Sequence, residues 1–84
     1  MTDTLPRLTL YSRGYCHLCD DMRVALEVLR GEFQFELTVL DVDADPALEA
    51  QYDELVPVLA AGGQELCHYF LNEPKVREYL AGFR

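Results

Sequence analysis

The amino-acid sequence predicts an α/β domain: a four-stranded mixed sheet flanked by helices, in the order β-α-β-α-β-β-α. Three observations predict it. Short runs rich in β-forming residues alternate with segments whose apolar residues recur three and four apart. The chain opens strand–helix–strand, which calls for a right-handed crossover and a parallel pair. Gly62-Gly63 falls between two later strand-like runs and reads as a hairpin, which adds an antiparallel pair. The 84 residues suffice for one such domain, spanning residues 1–84.

Each element has its own signal. Leu8–Ser12 is apolar and β-forming and is stopped by Gly14, so it reads as the first strand. From Cys16 to about Arg30, Leu18, Met22, Ala25, Leu26 and Leu29 share one helical face. Asp20 and Asp21 stand early in that helix and Arg30 late, as the helix dipole favours, and Gly31 offers a stop. Phe33–Leu40 alternates, with Phe33, Phe35, Leu37 and Val39 on one face and Gln34, Glu36 and Thr38 on the other. Its charge suits a sheet edge. Asp45-Pro46 opens a short helix whose Leu48 and Tyr52 lie one turn apart. Pro57 breaks the helix before Val58–Ala61 and Glu65–His68 form the hairpin strands. Asn72 caps a last helix with Pro74 in its first turn and Val76, Leu80 and Phe83 as its apolar stripe.

Composition narrows the function classes. Hydrophobic residues make up 50% and charged residues 26%, enough apolar surface to offset chain entropy and exclude disorder. Seven Lys and Arg against fifteen Asp and Glu give a net charge of −8. Such a surface repels phosphate backbones and anionic lipid, so neither nucleic acid nor membrane is expected as a partner. No apolar run approaches the ~20 residues of a membrane helix. Met1–Arg7 lacks the basic-then-apolar pattern of a secretory leader. A cytoplasmic monomer is the expectation.

Three cysteines do not make a secreted disulfide scaffold, but Cys16 and Cys19 form a C-x-x-C pair at a strand-to-helix junction. Residues three apart on a helix share a face, and their Cα atoms lie within disulfide range. An ordinary thiol is only about 3% ionised at pH 7. The free N–H groups and positive end of a helix favour the thiolate, which points to Cys16 as the attacking sulfur and Cys19 as the resolving one. A stabilised Cys16 thiolate is also the better leaving group when Cys19 closes the pair. His17 between them either supports the thiolate or faces solvent, while Asp20 and Asp21 act against ionisation. Two other readings stand beside redox chemistry. The pair is half of a metal or iron–sulfur site, with Cys67 and His68 as further ligands, or it is a buried pair three apart by chance. Cys67 itself reads as a small buried sheet residue or a third reactive thiol, and His68 as a strand-end surface residue.

The segment Leu8–Cys19, reading LTLYSRGYCHLC, together with Val56-Pro57-Val58, resembles the glutaredoxin-like branch of the thioredoxin-fold superfamily, in particular a small bacterial C-x-x-C group. The resemblance covers residues 8–83. It implies a three-layer thioredoxin-like fold, a cis Pro57 facing the cysteine pair, and a Val56 backbone that holds substrate in strand-like pairing. It implies a thiol–disulfide oxidoreductase with Cys16 and Cys19 catalytic and Tyr15, His17, Val56 and Pro57 at the substrate. No bound cofactor or metal is expected. The partners are a disulfide-bearing protein or small thiol and a cellular reductant. Three departures stand out. The motif is C-H-L-C where the family commonly has C-P-Y-C, Arg13 stands nearest the place of a usual lysine, and Cys67–Asn72 replaces a Gly-Gly-x-Asp segment that grips glutathione. Glutathione therefore remains a candidate co-substrate only. A metal-binding module and a non-catalytic thioredoxin-fold interaction domain are the alternatives.

Overall fold

The computed structural model describes residues 5–82. Its elements are β1 (Arg7–Ser12), α1 (His17–Leu29), β2 (Glu36–Asp41), α2 (Pro46–Tyr52), β3 (Val58–Ala61), β4 (Gln64–His68) and α3 (Glu73–Ala81), with a 3₁₀ turn at Val42–Ala44. The four strands form one sheet in the order β2-β1-β3-β4. β1 and β2 are parallel, with Leu8 opposite Leu37 and Leu10 opposite Val39. β3 runs antiparallel to both β1 and β4.

Alternation along the strands divides the core between two faces. On one face Leu8, Leu10, Leu59 and Ala61 join Met22, Leu26 and Leu29 of α1 and Val76 and Leu80 of α3 in a single apolar cluster. On the other, Tyr11 stacks on Tyr52 of α2 with ring centroids 4.3 Å apart. β3 is buried at all four positions, as a central strand covered on both sides must be. The result is three layers, with α1 and α3 on one side of the sheet and α2 on the other.

Local chemistry fixes the element ends. Asp45 accepts a hydrogen bond from the Ala47 N–H at 2.9 Å, and Pro46 opens α2 behind it. Asn72 accepts from the Lys75 N–H at 3.3 Å and starts α3. Gly62 and Gly63 take φ of 59° and 80°, the doubly left-handed pair that a tight two-residue hairpin turn requires.

The structure differs from the sequence reading in two places. β2 begins at Glu36, not Phe33; Phe33 and Phe35 lie in the approach to it and still pack on the core. Val39 is 47% exposed and Leu40 37%, although Val39 pairs opposite buried Leu10. β2 is an edge strand, with a neighbour on one side only, so correct alternation does not bring cover. Gly31 lies just past the end of α1, as its role as a stop predicts, without a left-handed backbone. α1 closes at Arg30, whose backbone stays right-handed and donates to the Leu26 carbonyl at 3.1 Å. Phe83, expected on the α3 stripe, lies outside the described residues.

Candidate active site

β1 delivers the chain to a short loop, and Cys16 ends that loop as the N-cap of α1. Its backbone is extended, with φ −118° and ψ 109°, and its Sγ accepts a hydrogen bond from the Cys19 N–H at 3.0 Å. A serine or aspartate oxygen does this work at most helix starts; here a sulfur does. The Cys16 carbonyl takes the first intrahelical bond, from the Asp20 N–H at 3.2 Å. Cys16 and Cys19 are joined as a disulfide with Cα atoms 5.1 Å apart. The two sulfurs are not equivalent: Cys16 is half-buried, whereas Cys19 is 4% exposed.

Sheet register gathers further segments at the same end of the molecule. Tyr11, Val58 and His68 stand in one row across β1, β3 and β4, and Ser12 pairs with Asp41 at the end of β2. The Cys16 loop, the turn after β2, Val56-Pro57 before β3 and Tyr69-Phe70 after β4 therefore leave the sheet on one side. The Val56–Pro57 peptide bond is cis. Pro57 is buried and its carbonyl accepts from the Tyr69 N–H at 2.9 Å. Tyr69 has φ of 64°, and the Phe70 N–H reaches the His68 carbonyl at 2.7 Å, a left-handed γ-turn that is rare for a residue with a side chain. The Tyr69 hydroxyl donates to the Glu54 carbonyl at 2.9 Å and holds this turn against the loop before Pro57.

Comparison with known proteins fits this geometry. The family described as Glutaredoxin-like domain (DUF836) matches residues 7–81. The chain belongs to that family. The solution structure of protein Ne2328 from Nitrosomonas europaea is 39% identical, covering 95% of this chain and 96% of that one with a TM-score of 0.85. The X-ray structure of protein XcR50 from X. campestris is 38% identical over 89% of this chain and 96% of its own, with a TM-score of 0.67. The NrdH-redoxin of Escherichia coli is 31% identical over 84% of this chain and 92% of its own, with a TM-score of 0.61; it is described as a glutaredoxin-like protein with a thioredoxin-like activity profile. The fold of this glutaredoxin-like chain is thus thioredoxin-like, with its C-x-x-C pair at disulfide distance.

Sequence reasoning saw Arg13 as the cation nearest the cysteines. In this glutaredoxin-like protein it is committed elsewhere. Its Nε lies 3.1 Å from both carboxylate oxygens of Asp43, and its other nitrogens reach the Asp53 carboxylate at 2.6 Å and the Asp53 carbonyl at 3.2 Å. The hydrogen bonds from Asp53 and then Asp43 raise its pKa still further above the ordinary arginine value, so it stays charged throughout. Arg13 straps the Cys16 loop to the turn after β2 and to the end of α2. Nothing in the sequence announced this, because the two aspartates lie 30 and 40 residues away.

The other candidates are placed as follows. Tyr15 is fully exposed beside Cys16, and His17 is the exposed first residue of α1. Val56 is half-buried. Phe70, which sequence reasoning passed over, is 69% exposed. Its signal was a large aromatic between a strand end and a helix cap. Cys67 is buried in the sheet, where desolvation pushes its thiol pKa up. The His68 Nδ1 lies against the Glu65 carboxylate. Among the described residues no three His, Cys, Asp or Glu side chains converge as a metal set. No described helix is long and apolar enough to cross a membrane.

Proposed function

We propose that this protein is a glutaredoxin-like thiol–disulfide oxidoreductase. The observation that carries the reading is the Cys16 sulfur at the N-cap of α1, held 3.0 Å from the Cys19 N–H and more accessible than Cys19. In the reduced protein that N–H and the helix end favour a negative sulfur. The Cys16 thiolate attacks one sulfur of a substrate disulfide, forms a mixed disulfide and expels the other substrate sulfur as a thiolate. Cys19 then loses its proton and attacks Cys16, and the second substrate sulfur leaves. The substrate gains two electrons and two protons, and Cys16–Cys19 becomes the disulfide seen here. A thiol or dithiol reductant resets the pair, so no bound cofactor is needed.

Val56 and Pro57 form the shoulder against which substrate backbone lies in this reading, and Tyr15 and His17 flank the attacking sulfur. The thioredoxin-like profile ascribed to NrdH-redoxin supports a protein disulfide as the partner class. A reducing compartment such as the cytoplasm suits the chemistry.

The test is exchange kinetics with a chromogenic disulfide. Cys16→Ser abolishes exchange, and Cys19→Ser accumulates a mixed disulfide visible by intact mass. Wild-type rates in the Cys16→Ser protein would refute the proposal.

A further inference from the structure

We propose that the redox end of this molecule takes its disulfide from a positively charged segment of another protein and discriminates against small anionic disulfides. This deepens the exchange reading above and rests on it. The first observation is the sign of the charge around the sulfurs. With the residues that flank them, the four segments that leave the sheet at this end carry Asp41, Asp43, Asp45, Asp53 and Glu54. Their one cationic side chain is Arg13, already shared between Asp43 and Asp53. Asp20 and Asp21 add two exposed carboxylates just inside α1. An incoming carboxylate therefore meets no uncommitted cation on these segments; Lys75, in the first turn of α3 beyond Phe70, is an exposed cation outside them that the carboxylates outnumber.

The second observation is aromatic exposure at the same end. Tyr15 is fully exposed, Phe70 69% and Tyr69 38%. The Tyr69 γ-turn and its hydroxyl bond to Glu54 fix the start of that loop. Exposed aromatic faces among carboxylates suit Arg and Lys side chains, whose stems lie on the rings while their charges meet the carboxylates. A peptide bearing such residues beside its disulfide is attracted; oxidised glutathione, with net negative charge, is not. The chemical step is unchanged. The partner's disulfide is reduced to two thiols, and Cys16 and Cys19 are oxidised to a disulfide.

The test uses the reduced full-length protein and three disulfide-closed peptides of equal length, flanked by Lys, Ser or Glu, with oxidised glutathione as a fourth substrate. Opposed charge speeds encounter by 10-fold or more at low ionic strength. At about 10 mM salt the Lys peptide should react roughly ten-fold faster than the Glu peptide, and the gap should close near 1 M salt, where screening reaches within ~3 Å. Glu54→Gln and Phe70→Ser should each shrink the ratio of Lys-peptide to Ser-peptide rates. Equal rates for the Lys and Glu peptides at low salt, or glutathione reacting as fast as the Lys peptide, overturn the proposal while exchange with the Ser peptide upholds the exchange reading. Failure to reduce even the Ser peptide overturns both.

Discussion

Reduction of Cys16–Cys19 separates two opposing contributions to stability, and the structure sizes both. The disulfide closes a loop of only four residues, sequence separation three. Chain-entropy theory gives such a loop about 1.9 kcal/mol of stabilisation in the oxidised form. In the reduced form the Cys19 N–H, which lies 3.0 Å from the Cys16 sulfur in the disulfide state, is placed to donate to a charged acceptor. A hydrogen bond to a charged group contributes about 1.5–3 kcal/mol. Above the ordinary thiol value of about 8.5, where the unfolded chain also ionises and this contribution is fully present, the two terms nearly cancel, so the oxidised and reduced proteins should agree there in unfolding free energy to within about 1 kcal/mol. Urea unfolding of both forms, the reduced one under excess dithiol, measures the difference directly. By the thermodynamic cycle each 1.4 kcal/mol shifts the potential of the pair by about 30 mV relative to the unfolded dithiol. An oxidised form more stable by 2 kcal/mol or more would show that the N-cap geometry does not stabilise a thiolate, and the reasoning behind Cys16 as nucleophile would fail.

Three further outcomes are expected. Leu59→Ala, a fully buried residue of a strand covered on both faces, should cost about 2–5 kcal/mol in urea unfolding. Arg13→Ala should speed amide hydrogen exchange at the Val42–Ala44 turn and the end of α2 while leaving α3 unchanged, because it cuts the strap to Asp43 and Asp53. Glu32 accepts hydrogen bonds from Arg77, which lower its pKa below 4.5. The unfolded chain then binds this proton first as pH falls, so the contribution is present above pH 4.5 and is lost as pH falls below it. A Glu32→Gln protein should show a flatter fall in melting temperature across that acid range.

The fold was legible because periodicity and punctuation agreed. Met22, Leu26 and Leu29 recur at helical spacing and all reach the core, and Gly62-Gly63 can be read as a turn from two letters alone. The sulfur pair was equally open to reading, since helix geometry sets its spacing. What escaped depends on contacts between distant positions. Arg13 looks like a free cation until the fold brings Asp43 and Asp53 to it. Val39 follows a buried pattern, yet strand order, not pattern, decides that it sits at an uncovered edge. The left-handed backbone at Tyr69 has no residue signature, because tyrosine rarely adopts it.

The glycine hairpin has a practical use. Gly62 and Gly63 join β3 and β4 at the pole opposite the cysteines, and the space around each is open for an added β-carbon. β4 is five residues long, so about 17 Å of strand lies between that tip and the redox pole. A fluorophore or surface tether grafted into a lengthened Gly62-Gly63 loop would hold the protein by its blunt end. The half-buried Cys16 sulfur would then face outward, ready for single-molecule or immobilised-capture experiments on incoming thiols.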